Sequence, residues 1–392
     1  MNFALLGDAP EVLPLICAIG ATTQHQVTAC FDADDLADRC PPAMQSVSIE
    51  AIRSDPGIEA VIVASDRTET LADALMLAEA GKSLLVLPLY GQDLGVIYEM
   101  SLVKADAPIT LFPIWPLREH PLVVQLRQML DEGELGAVQY LELNRVLVPD
   151  GDAAQPQLLT KRQIDGAFLV DVDLLRDLGG DYSNVTTLQT GREEGLSSLT
   201  TTLACDQAPQ ATWTVKAGSQ GSWQLTVAGM RSTAVLSGDP SVSSLTLEAE
   251  GPDFEFPRQT VAEDWGPAVL ASFLAAHERS DDSQPQWDDI QRGMELLQAT
   301  DRSLRRKRTI ELYFEAHSER SNFKTQMTAI GCCLIMFTLL GVVLVLVGGQ
   351  AGLAPRIMAV LRIAVFAPLG IFLLLQFLLV LTKPAAKQRR AT

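Results

Sequence analysis

Few of the 392 residues have the type and spacing of a catalytic or metal-binding set. The four histidines, His25, His120, His277 and His317, are scattered, and the six cysteines (17, 30, 40, 205, 332 and 333) include no CxxC pair. Zinc centres need Cys and His at short, repeated spacings, so no metal site is expected, and the cysteines read as reduced, buried small hydrophobes. Asp171, Asp173 and Asp177 could form an acidic patch. Asp173 and Asp177 stand at i,i+4 and read as the solvated face of a helix. His120 reads as a surface loop histidine, Tyr90 and Tyr182 as hydroxyl donors without supporting context, and Trp115, Trp223 and Trp265 as core.

The elements that must carry these groups follow from hydrophobic periodicity. Phe3–Leu6 is a short apolar strand ending at Gly7, followed by a turn and an apolar helix through Ile19. Gln26–Phe31 reads as a second strand ending in Asp32. Ala60–Ala64 and Ser83–Leu87 are continuous apolar runs, the mark of strands buried on both faces of a parallel sheet. Thr68–Ala80 between them reads as a helix capped by Gly81. This alternation predicts a doubly wound α/β domain over residues 1–115. From Val138 the pattern changes to strand-like segments at Val138–Val148, Leu199–Cys205, Ala211–Val215, Trp223–Val227, Ala234–Leu236 and Leu245–Ala249, separated by Gly, Ser, Asp and Pro turns. With helices at Leu122–Glu132, around Leu169–Leu178 and at Asp288–Arg302, and a last strand at Thr309–Leu312, residues 116–312 read as an α+β domain with a mostly antiparallel open sheet.

The end of the chain differs in kind. After a charged connector (313–326), Met327–Val347 and Ile363–Thr382 are uncharged runs, and about 20 apolar residues at 1.5 Å rise span a bilayer's hydrocarbon core. Residues 348–362 form a short Gly/Pro-containing turn, so the two runs read as a transmembrane hairpin. Arg305–Arg308, Arg320 and Lys324 lie before it, and Lys383, Lys387, Arg389 and Arg390 follow it in the basic tail (383–392). The positive-inside rule puts the body and the C-terminus in the cytoplasm, at the inner membrane. The formal net charge of −18 argues against nucleic-acid partners.

Residues 1–312 resemble the glucose–fructose oxidoreductase/inositol dehydrogenase (Gfo/Idh/MocA) family. The likeness rests on SDPGIEAVIVAS, AEAGKSLLVLPL, REHP followed by LDEGELGAVQYLEL, GAFLVDVDLLRDLGG and MELLQATDRSLRRKRTIEL, in the family's order. It implies a Rossmann domain, an open-sheet domain that commonly pairs subunits into homo-oligomers, and NAD(P)-linked oxidation of a sugar or polyol. The dinucleotide loop would be Gly7-Asp8-Ala9-Pro10-Glu11-Val12, with Gly7 and Ala9 as its small residues and Val12 replacing the third. Asp32 matches the acid that binds the ribose hydroxyls and would favour NAD over NADP. The family's Glu-Lys-Pro motif falls on Val86-Leu87-Pro88, so Pro88 is kept while Leu87 replaces the catalytic lysine. The proton-relaying Asp and His fall on Asp171 and Leu175, or Leu174 on a shifted alignment. A leucine can neither donate nor accept a proton. The sequence therefore supports two readings: a membrane-anchored NAD-dependent oxidoreductase with Asp171 as its remaining catalytic group, or a non-catalytic tethered scaffold or sensor.

Overall fold

The apolar runs near the start of the chain become inner strands of a parallel sheet, whose two covered faces leave no side chain in water. The computed structural model describes residues 1–33, 36, 44–149, 159–190, 198–239, 244–252, 254–279, 287–312, 336–343, 345 and 365. Its first sheet contains β1 (Asn2–Leu6), β2 (Gln26–Phe31), β3 (Gln45–Ser46), β4 (Ile58–Val63), β5 (Ser83–Val86) and β6 (Leu111–Pro113). The order is β3-β2-β1-β4-β5-β6, parallel throughout. The strand order reverses between β1 and β4, and open α/β sheets bind their ligands outside the carboxyl ends of the strands at such a point.

Alternate side chains of these strands fill two cores. Ala4, Leu6, Val61, Val63, Leu84 and Val86 point towards α2 (Ile49–Ser54), α3 (Thr68–Glu79) and α4 (Leu94–Asp106). Phe3, Leu5, Ala60, Ile62, Leu85 and Phe112 point the other way, towards α1 (Leu13–Gly20). After α5 (Pro121–Asp131) and α6 (Lys161–Gly179), two late helices complete both layers. Phe273 of α7 (Gly266–Arg279) packs on Phe3 and Phe112, and Ile290 and Met294 of α8 (Asp288–Arg306) join the opposite core. The parallel strands end at Pro113 and the second sheet begins at Val138, but the last helices of the body cover the first sheet.

The second sheet holds nine strands: β7 (Val138–Leu147), β8 (Asn184–Thr190), β9 (Ser198–Cys205), β10 (Ala208–Ala217), β11 (Ser222–Gly229), β12 (Thr233–Asp239), β13 (Ser244–Gly251), β14 (Phe254–Ala262) and β15 (Ile310–Glu311). Their order is β14-β13-β12-β11-β7-β10-β9-β8-β15, antiparallel except for the β7–β10 pair. Leu141, Leu143, Trp213, Val215, Leu225 and Val227 form its fully or nearly fully buried face. The strand period of two turns Thr186, Thr202, Thr212 and Thr226 to the other side. Helices α4 and α7 and strands β8 and β14 lie where no element was expected. Helix α6 starts at Lys161, eight residues before the expected Leu169, because Thr160 and Gln163 form a capping box at its N-terminus.

The chain divides into two compact units, residues 1–313 and 314–392. In the second, residues 336–343 are helical and expose Met336, Phe337, Leu339, Leu340 and Val343. Gly341 lies against Val365 so closely that a Cβ would collide with the valine side chain. Among the described residues no helix is long and apolar enough to cross a membrane. Most of the two expected spans, and His317, Cys332 and Cys333, lie outside the described residues.

Candidate functional site

Gly7, directly after β1, holds the tight turn at the switch point. Its φ is +91°, and a Cβ there would collide with the Ala64 carbonyl oxygen and the Ser65 side chain. The turn is tied down by Gly7 N–H to the Phe31 carbonyl and Ala9 N–H to the Ala64 carbonyl, both 3.0 Å. Pro10–Val12 make one 3-10 turn before α1, and neither Pro10 nor Pro14 has an N–H to offer an anion. Val12 turns inward and is fully buried, whereas Glu11 is exposed. The third small position of the loop has therefore become core.

Asp32, just after β2, adopts φ +54°, in the left-handed region. Arg67, in the turn after β4, donates from Nη1 to both of its carboxylate oxygens at 2.7 and 2.8 Å. Thr70 Oγ1 donates to the same carboxylate at 3.2 Å, and Arg67 Nη2 stands 3.7 Å from Asp8. The next acid, Asp66, pairs at 3.1 Å with Arg162 in the first turn of α6. Helix α6 is in this way anchored to the carboxyl end of the parallel sheet.

Leu87 and Pro88, after β5, are buried. Gln92 secures this turn: its Nε2 donates to the carbonyls of Leu87 (2.9 Å) and Ser65 (3.0 Å), and its Oε1 accepts from Leu89 N–H (3.1 Å). No motif in the sequence marks Gln92. Tyr90 follows, with the Lys161 ammonium 5.7 Å over its ring. Lys161 is itself held by Asp165 and Asp301.

Asp171 lies in the middle of α6 with no exposure to solvent. It accepts from Arg145 Nη2 (2.7 Å), Trp213 Nε1 (2.8 Å) and Trp223 Nε1 (3.0 Å). Sheet register explains the arrangement: Trp223 of β11 pairs opposite Arg145 of β7, and Trp213 of β10 shares their inward face. Burial pushes the Asp171 carboxyl up, and Arg145 and the two indoles pull it back. Leu174 and Leu175 are fully buried beside it.

Asp173 and Asp177 do not form the expected solvated face. Asp173 is 2% exposed and takes Arg118 Nε at 2.8 Å in a bidentate pair with Nη2 as second donor. Arg118 also reaches Asp289 (2.9 Å) and Asp177 (3.8 Å), and Asp177 holds Arg127. Arg176 joins Asp289 to Asp181, which Arg292 also contacts. The result is a balanced network of four arginines (118, 127, 176, 292) and four aspartates (173, 177, 181, 289) linking α5, α6 and α8. His120 is likewise buried rather than exposed, and its Nδ1 caps α5 by accepting from Leu122 N–H at 3.2 Å. His277 Nδ1 lies 3.3 Å from the hydroxyls of Ser83 and Thr110. Tyr182, fully buried, donates to the Leu175 carbonyl (3.3 Å), and burial holds its hydroxyl protonated. Of the described cysteines, Cys30 is buried, Cys205 half-buried and Cys17 exposed, and none of the three is in a disulfide.

Burial pushes the Asp173 carboxyl up to about 6, with Arg118 opposing the shift. The unfolded chain releases this proton near pH 4, so between pH 4 and 6 the folded state holds more protons than the unfolded one. This contribution to stability is present at the acidic end and lost as pH rises through 6. Asp165 and Glu119 are raised by burial as well, whereas Asp181 is lowered, burial opposing, by Arg176 and Arg292. Thermal unfolding should show Asp173→Asn flattening the pH 4–6 dependence of Tm. An unchanged slope would mean that Asp173 titrates as an ordinary surface acid.

No protein-family model and no curated protein matches the chain. Solved structures do. A protein assigned as a myo-inositol dehydrogenase, from Sinorhizobium meliloti, is 20% identical, with TM-score 0.62 over 80% of this chain and 100% of that one. Levoglucosan dehydrogenase in complex with NADH and levoglucosan is 16% identical, with TM-score 0.66 over 80% and 100%. The fold is that of the Gfo/Idh/MocA oxidoreductases. A 3-ketoreductase from Actinomadura kijaniata, in complex with TDP-benzene and NADP, extends the likeness, at 16% identity and TM-score 0.62 over 80% and 99%. Within the Gfo/Idh/MocA fold, the residues at the switch point fit a dinucleotide in part. The Gly7 turn leaves room for close approach, Asp32 follows β2 at the carboxyl end of the sheet and Pro88 is buried after β5. The prolines leave fewer backbone donors for a pyrophosphate than a Gly-rich loop offers.

Proposed function

We propose that this chain is a membrane-tethered NAD-binding protein that uses an oxidoreductase fold without transferring hydride to a sugar or polyol. The sealed state of Asp171 carries the reading. A proton relay must reach the substrate's hydroxyl within hydrogen-bond distance, and this carboxylate spends both oxygens on one guanidinium and two indoles. Leu87 and Leu175 supply no substitute. When bound, NAD would bring a hydride acceptor; Gly7, Ala9, Asp32 and Pro88 are the residues of this chain that would hold it. Retention of the Gly7 turn and Asp32 also favours a second reading, an NAD(P)-dependent sugar or polyol oxidoreductase with a different acid–base group.

The anchor rests on the uncharged runs 327–347 and 363–382 with their basic flanks. Two observations support it: the exposed apolar side chains of residues 336–343, and the close approach of Gly341 to Val365, a helix–helix contact typical of small residues within membranes. The body and C-terminus would face the cytoplasm. The polar, Thr-rich face of the nine-stranded sheet is the surface through which copies of the chain would pair.

The full chain should remain in the membrane pellet after alkaline carbonate extraction. In detergent it should bind NADH by fluorescence titration and reduce no NAD with a panel of polyols and anhydrosugars. Turnover at an ordinary enzymic rate, roughly 1 s⁻¹ or more, would establish the second reading instead. Release by carbonate would remove the anchor.

A further inference from the structure

We infer that Arg67 is a specificity residue which equips the crevice to accept a 2′-phosphorylated dinucleotide, NADP(H), alongside NAD(H). The inference rests on the dinucleotide-binding reading above. A bare carboxylate at the end of β2 repels a 2′-phosphate, and a nearby arginine accommodates one. Asp32 is not bare. Both of its oxygens accept from Arg67 Nη1, and Thr70 Oγ1 adds a third donor.

The same guanidinium keeps donors in reserve. A guanidinium has five N–H groups, and two serve Asp32. Among the described residues, Arg67 Nε and Nη2 have no hydrogen-bond partner; Asp8, at 3.7 Å, is too far for one. The Arg67 side chain is half exposed, so the unspent edge of the fork is open to a ligand beside the ribose position. Phosphate is the anion that this planar fork matches in two-point geometry.

The other charges at this rim set the scale. Among the described residues, Asp66 is answered by Arg162, so the two carboxylates Asp8 and Asp32 face the single charge of Arg67. NADPH should therefore bind no more tightly than NADH in the native chain. Removing Arg67 leaves two uncompensated carboxylates next to any 2′-phosphate. A hydrogen bond to a charged group contributes roughly a tenfold to a hundredfold change in binding.

The test is calorimetric titration of the full chain in detergent with NADH, NADPH and adenosine 2′,5′-bisphosphate, for the native protein and Arg67→Ala. The native chain should bind NADPH within about tenfold of NADH. Arg67→Ala should weaken NADPH and the bisphosphate by about thirtyfold or more and leave NADH within about threefold, a difference expected from one lost charged contact. Arg67→Lys, which keeps the charge without the fork, should fall between. Native binding of NADH without NADPH, or equal losses of both in Arg67→Ala, would overturn the role of Arg67 while leaving dinucleotide binding intact. Failure of every nucleotide to bind a folded native chain would overturn both.

Discussion

Asp171→Ala should destabilise the protein by about 3–5 kcal/mol, the usual cost of breaking a buried ion pair from one side. The substitution leaves the Arg145 guanidinium buried without its counter-ion and strips the acceptor from two buried indole N–H groups. Arg145 Nε already has no partner among the described residues, so the guanidinium has little other compensation. Against a typical total of about 5–15 kcal/mol, such a loss should bring a large fall in the urea midpoint. Asp171→Asn keeps an oxygen for one indole and should lose less. A carboxylate kept for proton transfer in an open cleft behaves differently, because surface changes usually cost within about 0.5 kcal/mol. A native-like midpoint for Asp171→Ala would therefore show that the carboxylate is not a structural anchor, and would return it to the list of candidate catalytic groups.

The limits of the sequence are visible at that same residue. That Leu87, Leu174 and Leu175 can neither donate nor accept a proton is a matter of residue identity and was legible at once. The partners of Asp171 were not, because they come from three strands, 26, 42 and 52 residues away along the chain. Asp173 and Asp177 were misread for a related reason. Helical spacing says which side chains share a face but not whether that face meets water, and here Arg118 and Asp289 arrive from distant segments to neutralise it. The parallel strands were readable because burial on both faces leaves an unbroken apolar run. Helix α7 is legible in the sequence: Val269, Leu270, Phe273 and Ala276 follow helical spacing and are all buried. Strand β14 offered little, since its sequence FEFPRQTVA mixes charges with a proline. The Asp32–Arg67 pair had no linear signature, its members lying 35 residues apart.

Arg118→Ala is the second large effect to expect, again about 3–5 kcal/mol at neutral pH. Arg118 answers the nearly fully buried Asp173 on one side and Asp289 on the other, with Asp177 close behind. Its own charge is opposed by burial, but the three carboxylates raise its pKa further and keep it protonated. Without it, the Asp173 carboxyl, already at about 6, must climb further. A carboxyl raised in the folded state contributes stability below its pKa and loses it above. The destabilisation should consequently be smaller at pH 5 than at pH 8. Arg118→Lys keeps the charge but not the two-point contact with Asp173, and should cost less than alanine. Urea unfolding at the two pH values separates the cases. A loss that is uniform with pH would assign Arg118 a packing role. A loss under about 1 kcal/mol at both, the range of a solvated pair, would mean that water already reaches this face of α6. A polar ligand could then reach it too, and the substrate-binding reading of the fold would regain its site.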